Sequence, residues 1–356
     1  MKAFLKILLI LLLVIIAALA ALLGWLTATE YKPAPAEAAV ISRAGDLDTL
    51  YGGDRLRILS WNIGFGGLGR AEDSFLDGGT KAKPDSRDAV RAYMEGICNT
   101  IAGKAPDLVL LQEVDVDSTR SYGIDERDLL SRGMSCETFA LNYSCPFVPV
   151  PVPPMGKVNS GLYTMTDDLL IERAERVSLP SPFSWPMRIV NLKRCMLVSW
   201  LPIQGSEKKL VLVNFHLEAY SENEGKLAQM KQISDFIGAE YAKGNYVVAG
   251  GDFNMLFPGS QEYYPNTHRE NWDPGELDIS LIPEGWGLAY DLNTPSCRLL
   301  NQPYDPEDTA GTQHYVIDGF IVSPNVTVDG VETLDLGFEH ADHNPVLLEL
   351  VLGDAA

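Results

Sequence analysis

Apolar positions follow three patterns along this chain. The first is unbroken. Residues 7–26, ILLILLLVIIAALAALLGWL, carry no charge. Twenty residues span about 30 Å as a helix, the thickness of a hydrocarbon core. Lys2 and Lys6 precede the run and Trp25 sits near its far end. The flanking charge predicts a tail, residues 1–6, kept in the cytoplasm, with everything after the run exported. An uncleaved anchor is expected over a cleaved signal peptide, because the run outlasts an ordinary signal core. Small residues around Ala18–Ala21 remain compatible with cleavage and secretion.

The second pattern is a set of short strand-like runs. Arg55–Ile63 (RLRILSWNI) alternates, while Leu108–Val114 (LVLLQEV) and Leu210–Leu217 (LVLVNFHL) are apolar enough for burial on both faces. Tyr246–Ala249, Val316–Val322 and Val346–Leu352 read as further strands. The third pattern is helical. Ser86 can cap a helix whose face is Val90, Tyr93, Ile97 and Ile101, ended by Gly103 and Pro106. Residues 221–243 predict a second, with Ser221 and Glu224 as capping box and Leu227, Met230, Ile233 and Ile237 inward. Alternating strands and helices define an α/β domain from residue 55 to 352. Between it and the anchor, residues 27–54, rich in Ala, Pro and acids, predict an extended linker.

Charge narrows the partners. With 28 basic and 48 acidic side chains the net charge is −20. Such a surface repels a phosphate polymer, so nucleic acid is a less comfortable partner than a small molecule or lipid head group. No Lys/Arg-rich run offsets this; Lys208, Lys209, Arg188, Lys193 and Arg194 are too few for a duplex groove. Of the five cysteines none forms a C-x-x-C pair, which argues against a zinc knuckle. Cys136 and Cys145 are near enough in sequence to bridge a loop, or equally to be buried thiols. The Pro-rich stretch PFVPVPVPP, residues 146–154, reads as a rigid surface segment.

Several apolar runs end in polar clusters: Asn62; Gln112 and Glu113; Asn214 and His216; Asp252 and Asn254. A strand buried on both faces has no use for a carboxylate in its middle, but at its end a carboxylate can project into a cleft. Each cluster has an ordinary alternative. Glu113 could be a solvated loop acid, Gly-Gly-Asp a turn, His216 a structural histidine, and Asp342–His343 a turn before Pro345. Asp318, inside YVIDGFIV, needs a partner, expected to be a histidine, because an unpaired buried charge is costly. Together they offer oxygen ligands for a hard cation, two histidines and an acid to orient one. That set suits metal-assisted attack of water on a phosphoester, with Mg2+ or Mn2+ favoured over a soft metal.

SWNIG, LQEVD, NFHL, GGDFN, IDGFIVS and ADHNPV occur in that order over residues 60–346. In this the chain resembles the endonuclease/exonuclease/phosphatase superfamily. The resemblance implies a DNase I-like fold: a four-layered α/β sandwich of two central mixed sheets flanked by helices. Here it would be preceded by one N-terminal transmembrane helix. It further implies that Asn62, Glu113 and Asp342 belong to the metal site, with Glu113 the principal ligand. Asp252 and Asn254 would position or deprotonate the attacking water and hold the phosphate. His216 and His343 would act on the phosphate or leaving oxygen, and Asp318 would orient a catalytic histidine. The last motif has alanine where the family commonly has serine before Asp-His. A glycine-rich insert, residues 64–86, follows the first motif and is expected to border the site. The expected activity is metal-dependent phosphoester hydrolysis at an extracytoplasmic site on the cell membrane. The alternatives are an extracellular nuclease and a non-catalytic binding module. Tyr263, Tyr264 and Trp272 could contact substrate or simply pack.

Overall fold

Two strand–helix–strand units form the frame. The structure, a computed structural model, describes residues 1–220, 223–307 and 311–353. In the first unit the strand Arg55–Asn62 leads through the helix Arg87–Lys104 to the parallel strand Leu108–Asp115. In the second, Lys209–His216 leads through the helix Asn223–Ala242 to the parallel strand Tyr246–Asp252. Each pair sits inside a seven-stranded mixed sheet. The first sheet runs Val326–Thr333, Val346–Leu352, Arg55–Asn62, Leu108–Asp115, Gly156–Thr166, Cys136–Val148 and Ile41–Arg43. The second runs Ala36–Ala38, Arg173–Ser178, Cys195–Pro202, Lys209–His216, Tyr246–Asp252, Asp318–Val322 and Gly287–Ala289.

Side-chain parity explains the layering. Ile58, Leu108 and Leu110 of one sheet meet Leu210, Leu212, Val248 and Phe320 of the other in a core between the sheets. The residues of opposite parity, Leu59, Trp61, Val109 and Leu111, pack on Val90, Met94, Ile97 and Ile101 of the first helix. Val211, Val213, Phe215 and Val247 likewise meet Met230, Ile233 and Ile237 of the second. Each such buried side chain stabilises the fold by about 2 kcal/mol relative to exposure. The result is the expected sandwich, helix on sheet on sheet on helix.

Some details differ from the sequence reading. Met94, not Tyr93, completes the first helical face. Tyr93 is half-buried, and its hydroxyl donates to Glu72 at 3.3 Å. Ser86 caps that helix as expected, accepting from the Ala89 amide at 3.1 Å. Gly103 lies within it, and Ala105 takes the left-handed cap (φ 44°). Ser221 of the expected capping box lies outside the described residues. Leu227 is only half-buried.

Residues 27–54 are no free linker. Ala36–Ala38 pairs with Arg173–Ser178, Ile41–Arg43 pairs with Cys136–Val148, and Leu50 is buried in the central core. This strap covers one edge of each sheet, whose unpaired backbone groups would otherwise face solvent. All five cysteines are free. Cys136 and Cys145 lie in one extended strand, Cys136–Val148, about 30 Å apart at the rise of a strand and far beyond disulfide reach.

Near one end the layer between the sheets turns polar. The Gln112 Nε2 donates to Asn214 Oδ1 at 2.9 Å, and Asn214 Nδ2 donates to the carbonyls of Leu111 (3.0 Å) and Tyr163 (3.1 Å). Asn214 is fully buried. Asn214→Ala leaves those three groups without their partner and should lower unfolding free energy by about 3 kcal/mol in urea titration.

Candidate active site

The polar end of the sandwich lies at the C-terminal ends of the parallel strands, where open α/β sheets place their ligand crevices. Asn62, Glu113, His216 and Asp252 come from the ends of four such strands. The last turns before Asn254 and before the final strand add Asn254, Asp342 and His343. These residues line one cleft of about 310 Å3. Asp318 does not line it but reaches it through His343.

Local backbone geometry aims several of these groups. The pairing of Leu108–Asp115 with Gly156–Thr166 slips between Leu111 and Val114, and Glu113 in the slip has φ 56°. A bulge of this kind redirects a side chain, and left-handed backbone at a non-glycine residue is the sort of strain found at functional sites. Asn254 is held similarly, at φ 49°. Gly251 has φ 150°, and a Cβ there would lie 1.9 Å from the Phe215 carbonyl oxygen. Only glycine lets Asp252 and His216, paired in register, come so close.

A line of hydrogen bonds and ion pairs crosses the cleft floor. Ser296 Oγ donates to Asp318 Oδ2 at 2.7 Å, and the same oxygen lies 2.8 Å from His343 Nδ1. His343 Nε2 is 3.8 Å from Asp252 Oδ2, and His216 Nε2 is 3.4 Å from that same oxygen. Asn62 Nδ2 joins Asp252 Oδ2 (3.1 Å) to Glu113 Oε1 (3.2 Å), while its Oδ1 accepts from the Gly64 amide at 3.1 Å. Asn62 thus turns its amide nitrogen, not its oxygen, toward Glu113. Asp252 Oδ1 accepts from the Asn254 amide at 2.8 Å, and Asn254 Nδ2 donates to the Leu217 carbonyl at 2.9 Å. Trp61 Nε1 donates to the His343 carbonyl at 2.8 Å. Ligand atoms of Asp252, Asp318 and His343 all lie within 4.8 Å of one another.

Electrostatics set the two histidines apart. Burial alone would keep His343 neutral, but Asp318, aided by Asp252, outweighs it and holds the ring protonated well above its usual range. For His216, burial and then the positive charges of Arg194, His343 and Arg120 push the pKa well down. The carboxylates also separate. Burial raises Asp252 to about 6 against the opposing pull of His343, with Asp318 adding to the rise. Burial raises Asp342 to about 7, His343 opposing and Glu113 adding. Asp342 Oδ1 is buried without a partner, beside Gly64, where a Cβ would come within 2.8 Å of it.

Several site residues were not anticipated. Arg120 grips Asp115 through two bonds (3.0 and 2.9 Å), lies 3.8 Å from Glu113 and stacks 3.7 Å over the Phe65 ring. Arg194 lies 3.6 Å from Glu218 at the same cleft. Lys226 donates to the carbonyls of Asn254 (3.1 Å) and Pro274 (2.8 Å), and burial lowers its pKa to about 8. Tyr220 donates to Asp77 at 3.1 Å, closing the insert over the cleft. The insert does border the site, through Phe65, Leu68, Phe75, Leu76 and Asp77. Of the three aromatics singled out by sequence, Trp272 lines the cleft, Tyr264 packs on His314, and Tyr263 is exposed.

A family model described as "Endonuclease/Exonuclease/phosphatase family" matches residues 59–343. Among solved structures, an endonuclease/exonuclease/phosphatase from Beutenbergia cavernae DSM 12333 is 20% identical, with a TM-score of 0.57 over 85% of this chain and 72% of that one. The human Nocturnin catalytic domain with bound sulfate anion is 17% identical, with a TM-score of 0.52 over 88% of this chain and 97% of that one. An endonuclease/exonuclease/phosphatase from Bacteroides vulgatus is 18% identical, with a TM-score of 0.51 over 84% and 99%. At these identities the likeness is one of fold. No curated protein matches the sequence.

Carboxylates raised by burial bind more protons folded than unfolded. They therefore destabilise the fold progressively as pH rises from about 4, the unfolded value, through their folded pKa. In EDTA the melting temperature should fall as pH rises from about 5 to about 8, and Asp342→Asn should flatten that fall and raise the value at pH 8, measured by scanning calorimetry.

Proposed function

The chain belongs to the endonuclease/exonuclease/phosphatase family, and from that premise we propose that it is a divalent-cation-dependent phosphoesterase working outside the cytoplasm. The observation that carries this reading is the line Asp318–His343–Asp252–Asn62–Glu113 across one cleft floor. It joins a protonated donor, a carboxylate near its own pKa at neutral pH, and a carboxylate aimed by strained backbone.

The donor set fits a hard cation. Asp342 Oδ1 has no partner, and the nearby Glu113 adds to the rise of the Asp342 carboxyl. Glu113 and Asp342 would hold Mg2+ or Mn2+, with Asn62 fixing the Glu113 oxygen. Such an ion, when bound, supplies charge neutralisation at the phosphoryl oxygens. The remaining work falls to the chain's own groups. Asp252, pushed to about 6, is ionised at neutral pH yet basic enough to take a proton from the attacking water. His343, kept charged by Asp318, donates to a phosphoryl or leaving oxygen. His216, kept neutral, donates through one ring N–H and does not compete for the proton on Asp252. Pairs of groups driven apart in pKa mark such divided roles. Arg120 and Arg194 line the same cleft and oppose the overall charge of −20 where an anionic ester must enter.

The N-terminal helix Lys2–Ala28 is long and apolar enough to cross a membrane. The lysines at its start support the orientation in which the cleft lies on the far side. All the motif residues are present, which favours catalysis over a binding-only role.

With Mg2+ and bis-p-nitrophenyl phosphate, Glu113→Gln should lower kcat by about 10^3-fold, as EDTA should for the wild type, with circular dichroism unchanged. A fully active Glu113→Gln protein would sink the assignment. Asp318→Asn should cost about 10^2-fold in kcat with little change in KM, and should shift the alkaline limb of the pH–rate profile to lower pH as His343 loses its counter-charge.

A further inference from the structure

The N-terminal helix does not leave the catalytic domain as a loose tether. Residues 7–21 of the apolar run are exposed throughout, about 22 Å of helix, and Lys2 and Lys6 before them mark the far membrane surface. From there the helix meets the domain. Leu22, Leu23 and Leu26 pack with Tyr143, Val148, Met155 and Ile189. Trp185 Nε1 donates to Thr27 Oγ1 at 3.2 Å. Glu30, its side chain 3% exposed, accepts from Arg188 and Lys193, each at 3.1 Å. Burial works against charge on Glu30, but the two cations outweigh it and hold its pKa below the usual range. The domain is therefore fixed against the helix about one hydrocarbon thickness from Lys2.

The same surface is the mouth of the cleft. Val148, Met155 and Val190 belong both to the cluster around the helix and to the cleft wall. Beside them stand large apolar side chains open to solvent: Val150 (54% exposed), Val152 (95%), Trp185 (50%) and Met187 (56%). Leu76, Val150 and Met187 line the cleft as well. Apolar patches of this kind on a soluble face mark a binding surface, and this one is continuous with an apolar helix at the level where its free length ends.

We propose that the lip formed by residues 146–154 and 184–187 lies in the bilayer surface, and that the cleft takes its substrate from that surface as a phospholipid. The acyl chains would rest on the apolar lip, with the phosphoester at Glu113, His216 and His343. This deepens the phosphoesterase reading above and rests on it. Water adds at phosphorus, one P–O ester bond breaks, and the proton from water ends on the leaving alcohol oxygen, so no co-reactant is needed. A phosphate polymer fits worse, because apolar side chains dominate the mouth and the chain as a whole carries a net charge of −20.

The test uses the full chain with Mg2+ in proteoliposomes of equal parts phosphatidylcholine, phosphatidylethanolamine and phosphatidylglycerol, with bis-p-nitrophenyl phosphate as the soluble comparison. Val152→Asp alters a side chain that lines no part of the cleft. It should slow lipid hydrolysis by about tenfold or more while leaving soluble-diester turnover unchanged. Lipid hydrolysis at the wild-type rate in Val152→Asp would overturn the lip. A wild type that cleaves the soluble diester but none of the three lipids would overturn the substrate class alone and leave the phosphoesterase reading standing. A wild type inactive on both would overturn both.

Discussion

The polar seam between the two sheets is the constraint from which the rest of the structure follows. Strands sandwiched between another sheet and a helix layer are buried on both faces, and their inward parity must be apolar for most of its length. Ile58, Leu110, Leu212, Val248 and Phe320 obey this. Continuing the same parity to the strand ends brings Asn62, Gln112, Asn214, His216, Asp252 and Asp318 into the same layer. Buried polar groups persist only when bonded to one another. The amides of Asn62 and Gln112 reach across to Asp252 and Asn214 and so tie sheet to sheet. Site and fold share these bonds. The cleft floor is where the sandwich ceases to be apolar.

Much of this was legible in the chain because the signals are local. A polar residue ending an apolar run, a Gly-Gly before Asp252 and a lone acid at Asp318 each demand an explanation within a few residues. The Asp318–His343 bond answers the last of these. What the sequence hid depends on distant parts of the chain. Arg120 and Arg194 look like ordinary surface cations until the fold buries them beside Glu113 and His216. Ser296 carries no signal of its own, yet it fixes Asp318 from a separate loop. Residues 27–54 have the composition of a linker, and only the exposed edges of two sheets give them partners. Tyr93 and Met94 compete for one helical position, and the tyrosine hydroxyl's need for Glu72 decides between them.

Charge at the site runs against charge on the surface. The whole molecule is strongly acidic, whereas the cleft gathers Arg120, Arg194 and a protonated His343 around its carboxylates. The local field is thus set by burial and pairing at short range, where low dielectric makes each pair count, and not by the net charge, which salt screens over about 10 Å. The cleft thus offers paired charges of both signs within a molecule that is acidic overall.

The strap has a further consequence for the life cycle of the molecule. Its two strands, Ala36–Ala38 and Ile41–Arg43, lie downstream of the small residues Ala18–Ala21. Proteolysis there would leave both strands paired to their sheets. It would leave Leu22, Leu23 and Leu26 on a short, unanchored stub, still able to cover Val148 and Ile189. The pairing of the strap with both sheets thus does not depend on the residues that precede Leu22.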